Sequence, residues 1–472
     1  MSATDITMYA RRDIVVPLIH LVLAAGVTVH VLLTKREAGS SVAWIGLSWL
    51  APILGSVLYL LLGINRVKRR AQNLRRPRPV TRGERPAKAR ADHLAALERA
   101  GQRITGRPAE DGNAITILHN GDAAYPQMLA AIEAARQTIA LSSYIFRADA
   151  AGNPFIEALI RAKQRGVEVR VLIDGYGGGY FTSSTYHRLH DAGVPAARFL
   201  HSTLPWRMPF LNLRSHKKIL GIDGRTVFTG GLNIGAENLT QTHPLHPVFD
   251  THFKFEGPVV AQLLDVFAAD WQFATQERLA GDAWFPALAA VGKSTARVVT
   301  SGPDNDLEKI EFVILQALSC ARTSIKIMTP YFLPDERIIT ALSLAAYRGV
   351  EVDLVLPEHS NHPTVDWGSR VQMGPLLKAG CRVWTYPAPF NHSKLMTIDD
   401  LWALVGSANW DVRSFRLNFE LDLEVYHSGL VREIDALITA HQSARLSASA
   451  LEGRPLPLRL RDGAARLLVP YL

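Results

Sequence analysis

One eighteen-residue pattern occurs twice in this chain. Residues 216–233 read HKKILGIDGRTVFTGGLN and residues 392–409 read HSKLMTIDDLWALVGSAN, with His, Lys, Asp, Gly and Asn at the same offsets. The flanking sequence repeats too. AAIEAARQTIALSSYIF (130–146) parallels QALSCARTSIKIMTPYF (316–332), and RGVEV recurs at 165–169 and 348–352. In each copy a helical apolar period leads into a β-branched, apolar run, which reads as helix then strand. Gly166 and Gly349 stand where a helix C-cap belongs, directly before the next strand. Helix–strand–helix–strand order, built twice, predicts an α/β fold of two tandem domains with mixed sheets. The shared spacing argues against convergence of common βα pieces.

Each pattern reads as a β-hairpin around a two-residue turn, Asp223-Gly224 or Asp399-Asp400. Pairing outward sets Ile398 against Leu401, Lys394 against Val405 and His392 against Ser407. Strand alternation then puts His392, Lys394, Ser407 and Asn409 on one face, and likewise His216, Lys218, Gly231 and Asn233. Such a face is a phosphate site in outline. Lys supplies fixed charge, Asn supplies amide donors and His supplies a titratable nitrogen. Asp223 and Asp399 fall in the turns, where a turn-forming role outweighs a direct chemical one and a salt bridge fixing the hairpin is the alternative.

The N-terminus has a different character. Residues 14–33 and 42–64 are both free of formal charge, and each has the length of a membrane-crossing helix. Trp44, Trp49 and Tyr59 supply interfacial aromatics. His20 and His30 lie inside the first run and read as neutral packing residues. Seven basic residues follow the second run (Arg66, Lys68, Arg69, Arg70, Arg75, Arg76, Arg78), against Lys35 and Arg36 between the runs. The positive-inside rule therefore predicts a two-helix inner-membrane anchor with both ends cytoplasmic. The domain plan is an anchor over 1–65, a basic linker over 66–112 with one helix near 91–104, and two α/β domains over 113–290 and 291–472.

Lys and Arg number 52 against 43 Asp and Glu, an excess of +9 that suits an anionic partner, either nucleic acid or an anionic membrane. The two cysteines, Cys320 and Cys381, sit in apolar settings and read as buried thiols in a reducing compartment. GYGGGY (175–180) lacks a P-loop lysine and reads as a strand-end loop. His243, His246 and His252 cluster near Asp250, but Pro244 and Pro247 interrupt them and their spacing fits no zinc pattern, so no metal is expected.

The duplicated residues resemble the HKD motif of the phospholipase D superfamily, HxKxxxxDxxxxxxG[GS]xN. Within it the chain is similar to the bacterial cardiolipin synthases, through the N-terminal apolar pair, FLNLRSHKK (210–218) and RSFRLNFELDLEVY (413–426). The resemblance implies one active site at a pseudo-two-fold interface, with His216, Lys218, Asp223, His392, Lys394 and Asp399 as its motif residues. Asn233, Asn409, Ser407 and Gly231 would bind phosphate. It implies a phosphatidyl transfer between two phosphatidylglycerol molecules through a phosphohistidine, with His216 favoured as nucleophile by analogy. A metal is not needed, because the lysines carry the positive charge, and no cofactor is implied. Each His calls for an orienting carboxylate. Asp250, which follows His216, and Glu420, which follows His392, are the candidates. LPWRMPFLNLR (204–214) would touch the bilayer beside the site. A phospholipase D-type hydrolase or a phosphatidylserine synthase has the same fold and remains the alternative. The two anchor helices and the lack of interleaved aromatic and basic residues speak against a nuclease and a nucleic-acid partner.

Overall fold

The computed structural model describes residues 3–34, 38–51, 53–63, 93–179, 181–201 and 213–467. The chain divides into two compact units, Met1–Arg70 and Ala71–Leu472. In the first, helix α1 (Ala3–Thr34) contains one stretch, Val15–Thr34, long and apolar enough to cross a bilayer. The second apolar run is not the single helix expected over 42–64. Helix α2 (Ala38–Leu50) stops, and α3 (Leu54–Leu58) resumes and passes into a π-helical turn at Tyr59–Gly63. Pro52 is the cause in the sequence, since proline has no N–H and disfavours helix at the residue before it. His20 meets the backbone groups this break frees. Its Nδ1 accepts from the Ile53 N–H at 3.3 Å, and its Nε2 lies 3.3 Å from the Trp49 carbonyl. His30 Nδ1 lies 2.6 Å from the Tyr59 hydroxyl. The charged flanks that set the predicted orientation, Lys35, Arg36 and the basic residues after Ile64, lie outside the described residues.

The second unit is built round one fifteen-stranded mixed sheet. The first repeat supplies β1 (Glu110–His119), β2 (Thr138–Ser143), β3 (Glu168–Asp174), β4 (Ala196–Phe199), β5 (Ile219–Ile222), β6 (Thr226–Gly230), β7 (Val248–Phe249) and β8 (Thr251–Glu256). The second supplies β9 (Ser294–Ser301), β10 (Ser324–Met328), β11 (Phe332–Leu333), β12 (Glu351–Pro357), β13 (Arg382–Tyr386), β14 (Phe390–Asn391), β15 (Leu395–Ile398), β16 (Trp402–Gly406), β17 (Trp410–Asp411), β18 (Glu420–Tyr426) and the edge strand β19 (Ala444–Arg445), with β7–β14 and β11–β17 standing outside the large sheet as two separate pairs. From the centre outward the first half runs β1-β8-β6-β5-β2-β3-β4 and the second β9-β18-β16-β15-β10-β12-β13. The order is the same in both. The halves join through antiparallel β1–β9 pairing, Glu110 opposite Ala296, so a pseudo-two-fold axis passes between them. The β2-β3-β4 and β10-β12-β13 sets are parallel and most other pairings in the sheet are antiparallel.

Helices cover both faces. On one face a single core runs across both halves, from Phe253 and Phe255 to Val298, Leu423 and Ile434. On the other face each half has its own core. Gly166 and Gly349 both take φ 88°, the left-handed value that a helix terminus followed at once by a strand requires. Cys381 is buried, Cys320 half-buried, and neither forms a disulfide.

Candidate active site

The hairpins differ from the expected register by one residue. Ile398 pairs with Trp402 and Leu395 with Val405, while Ile222 pairs with Thr226 and Ile219 with Thr229. The loops therefore hold three residues, Asp223-Gly224-Arg225 and Asp399-Asp400-Leu401. Asp223, Gly224, Asp399 and Asp400 adopt φ of 49°, 68°, 52° and 54°, a left-handed region that Gly and Asp tolerate best. A one-residue slip would turn the whole side-chain set to the other face if the strands stayed regular. They do not extend that far. Both His-x-Lys segments precede their strands, and β6 and β16 end at Gly230 and Gly406, before the Asn residues.

Parallel bridges across the pseudo-axis position the His-x-Lys segments instead. Ser215 bridges Phe419, and the His216 N–H donates to the Phe419 carbonyl at 2.9 Å. In the matching arrangement β14 pairs with β7, and the His392 N–H donates to the Phe249 carbonyl at 2.7 Å. The two imidazoles meet edge to face, ring centres 6.2 Å apart and planes at 80°.

The carboxylates cross the axis as well. His216 Nδ1 lies 3.0 Å from Glu420 Oε2 and 3.0 Å from the Ser407 carbonyl. His392 Nδ1 lies 3.1 Å from Asp250 Oδ2 and 2.8 Å from Lys394 Nζ. Each histidine is thus served by the other half's acid, not by the acid that follows it in its own half. The register shows why. Gly230 faces His252 and Gly406 faces Asp422, so Asp250 and Glu420 hold corresponding places two residues earlier. Gly231 allows the approach of Asp250, since a Cβ there would stand 2.2 Å from Asp250 Oδ1. At the corresponding position the Ser407 hydroxyl donates to Glu420 at 2.6 Å. Neither Gly231 nor Ser407 lines the cleft; both contact the carboxylates behind it.

Lys218 Nζ donates to the His216 carbonyl at 2.6 Å, and Lys394 Nζ donates to that of His392. Burial pushes Lys218 down to about 7 and Lys394 to about 8. Burial, with the lysine charges added, holds His216 well below the usual imidazole range and brings His392 to about 3. Both rings are therefore neutral at pH 7 while no anion lies between them. The two acids differ. Burial drives Glu420 up to about 7. Burial also raises Asp250, but the His392 hydrogen bond and the Lys394 charge outweigh it and hold Asp250 below the ordinary carboxylate range.

His216, His392, Asn233 and Asn409 open onto one cleft of about 1380 Å³ at the C-terminal ends of the parallel strands. Asn233 Oδ1 accepts from the Ile145 N–H at 3.2 Å, and Asn409 Oδ1 is buried without a hydrogen bond among the described residues. Tyr144 and Tyr331, one position out of step in the two repeats, pack edge-on to His216 and His392 at 5.0 and 6.0 Å. Asn418 donates to Glu420 Oε1 at 3.0 Å. Sequence reasoning overlooked these three.

Asp223 and Asp399 do not reach the cleft. Asp223 accepts from the N–H groups of Arg136, Gln137 and Thr138 at 2.7 to 3.1 Å. Asp399 accepts from Arg322, Thr323 and Ser324 at 2.8 to 2.9 Å, and His93 Nε2 stands 2.6 Å away. They tie each hairpin turn to the start of β2 or β10. His252 is buried on β8, His246 lines the cleft and His243 ends a short 3-10 turn. Gly175–Gly179 form a turn after β3. The segment 204–212, expected to touch a bilayer, lies outside the described residues.

Comparison with known proteins agrees with this architecture. The family described as "Cardiolipin synthase, PLD-like domain" matches residues 128–271 and 314–441, and that described as "Phospholipase_D-nuclease N-terminal" matches 22–63. "Cardiolipin synthase 1" of Bacillus cereus is 32% identical over 470 residues, covering 95% of this chain and 92% of the relative. "Major cardiolipin synthase ClsA" of Bacillus subtilis is 32% identical over 468 residues, covering 93% and 95%. Among solved structures, phosphatidylserine synthase of Haemophilus influenzae superposes with a TM-score of 0.62 over 80% of this chain and all of that one, at 16% identity, which is a likeness of fold.

Proposed function

We propose that this chain, which belongs to the cardiolipin synthase family of phospholipase D-like proteins, transfers a phosphatidyl group from one phosphatidylglycerol to another, giving cardiolipin and glycerol. The observation that carries the reading is the meeting of two imidazoles at 6.2 Å, each with Nδ1 against a buried carboxylate from the opposite half. An Nδ1–H committed to a carboxylate leaves the Nε2 lone pair for chemistry.

His216 Nε2 attacks phosphorus, the bond from phosphorus to the glycerol oxygen breaks, and the departing oxygen takes a proton from His392. The hydroxyl of a second phosphatidylglycerol then gives its proton to His392 and attacks phosphorus, and the bond to His216 breaks. His392 is the better proton carrier because its partner Asp250 stays ionised and favours an imidazolium, whereas Glu420 is pushed up to about 7. The entering phosphodiester supplies the negative charge that raises His392 into a useful range. Lys218, Lys394, Asn233 and Asn409 stabilise the non-bridging oxygens, and loss of one such donor costs about 10²–10³ in rate.

We read the N-terminal unit as the membrane anchor, with Val15–Thr34 as a crossing helix and the catalytic unit in the cytoplasm. The basic run after Ile64 supports that orientation. Purified protein given phosphatidylglycerol alone should yield cardiolipin and glycerol in equal amounts; phosphatidic acid as the main product would replace this reading with a hydrolase. A periplasmic signal from a reporter fused after Arg90 would reverse the topology.

A further inference from the structure

The pseudo-two-fold axis relates the two walls of the cleft, but the side chains on them do not match. Arg214 precedes His216 by two residues, and Phe390 precedes His392 by two. Arg413 follows Asn409 by four, and Glu237 follows Asn233 by four. All four line the cleft. Backbone pairing supports the correspondence, since Ser215 bridges Phe419 as Asn391 pairs with Phe249. Arg214 Nη1 donates to the Tyr144 hydroxyl at 3.2 Å, while Phe390 packs on Tyr331, ring centres 6.2 Å apart.

One wall therefore carries two guanidiniums. Their backbones are tied to neighbouring residues, since the Phe419 N–H donates to the Arg214 carbonyl at 2.8 Å and the Asn418 N–H donates to that of Arg413 at 3.0 Å. The Arg214 guanidinium lies over the Tyr176 ring at 4.1 Å, and its Nε is buried without a hydrogen bond among the described residues. Burial and then the charge of Arg214 hold Arg413 below the ordinary guanidinium range, as expected of two cations pressed together. Asp411 and Asp174 act electrostatically on Arg413 and Arg214, and each also holds backbone N–H groups. Asp411 accepts from the Ser414 N–H at 2.6 Å, and Asp174 accepts from the N–H groups of Ser215, Tyr176 and Gly177 at 2.7 to 2.9 Å. On the opposite wall Glu237 is matched by Arg147, Nε to Oε1 3.3 Å, beside the apolar Phe390, Leu245 and Pro247.

We propose that Arg214 and Arg413 form a second phosphodiester subsite, which holds the phosphate of the acceptor lipid while its glycerol hydroxyl enters between His216 and His392. The inference rests on the transfer proposed above and names what that reaction needs in addition. Joining two phosphatidylglycerols brings two anions into one partly buried cleft. The His and Lys pairs answer the first, and an unanswered second would be costly to desolvate. Guanidinium forks match phosphate oxygens in geometry and charge. Water and simple alcohols have no phosphate to offer this wall. The subsite therefore favours transfer to lipid over hydrolysis and fixes the acceptor class as a phosphate-bearing alcohol.

The test is a competition on the full-length protein, with phosphatidylglycerol as donor and phosphatidylglycerol and 1-butanol as rival acceptors. The readout is the ratio of cardiolipin to phosphatidylbutanol, which cancels any loss of folded protein. Arg214→Gln and Arg413→Gln should each lower the ratio about tenfold, the worth of one charge-assisted hydrogen bond. Glu237→Gln, on the other wall, should leave it alone. An unchanged ratio in both arginine variants overturns the subsite, as does an equal drop in Glu237→Gln. If the unmodified protein makes phosphatidylbutanol but no cardiolipin, the transfer reading itself fails, an outcome distinct from either.

Discussion

At the scale of single residues, the cleft sets neutral rings beside cations of lowered pKa. Burial moves Lys218 to about 7 and Lys394 to about 8, so they lose their protons as pH rises through that range. The protonated form is the one that stabilises phosphoryl oxygens. The kcat/KM should therefore fall as pH rises from about 7 to 8, well below the ~10.4 of an unperturbed lysine, in a pH profile taken with dilute substrate. Asp250→Asn removes the ionised partner of His392. It should lower kcat by about 10²–10⁴ with KM little altered and displace the acid limb of the profile, as loss of general acid–base assistance would. In His392→Asn the second step lacks its base, so brief incubation with labelled donor should leave phosphate on the peptide containing His216. No label in His392→Asn, with label on His392 in His216→Asn, would reverse the assignment.

At the scale of elements, the aspartate that completes each motif acts as a fastener. Asp399 gathers three backbone N–H groups at the start of β10, the Thr323 hydroxyl and His93. Burial raises its pKa, but these bonds outweigh burial and hold it below the ordinary value. A depressed folded-state pKa contributes stability above the unfolded value, about 3.9, and loses it as pH falls through the folded value. Asp399→Ala should therefore cost about 1–3 kcal/mol at pH 7 by urea titration, with a smaller penalty in acid, and the fall in activity should follow the folded fraction. His93 ties the segment before the first repeat to the second motif's turn, so His93→Ala should weaken the same hairpin. The broken second helix of the N-terminal unit is a fastening of another kind, with one imidazole serving a donor and an acceptor that a straight helix would have paired internally.

At the scale of the molecule, the catalytic unit cannot be divided at its repeat. β1 and β9 join the halves in one sheet, a single core crosses the axis, and each histidine takes its carboxylate from the far half. A buried ion pair stands near that junction. Arg297 on β9 meets Glu424 on β18 at 2.5 Å, both inaccessible to solvent, and Arg297 also donates to the Glu98 carbonyl of the helix Ala95–Thr105. Gly101 leaves room for it, because a Cβ there would fall 1.9 Å from Arg297 Nη2. Glu424→Gln would leave a buried guanidinium unpaired, at a cost of about 3–5 kcal/mol visible as a lower urea midpoint. Since both histidines depend on the far half, activity should disappear in the same transition.

The sequence by itself determined the duplicated α/β architecture, the glycine at each helix end, and the His and Asn residues that reach the cleft. These follow from local periodicity and from spacing within a repeat. Only the tertiary structure decided which acid meets which imidazole. Glu420 lies 204 residues from His216 and Asp250 lies 142 from His392, and no local pattern encodes a pairing across a pseudo-axis. Hairpin register also escaped the sequence, because two- and three-residue loops beginning with Asp differ only in backbone dihedrals that the residue types permit equally. The unequal walls of the cleft became visible for the same reason. Arg214 and Arg413 are unremarkable 199 positions apart, and become a pair only once folding sets their backbones on adjacent residues.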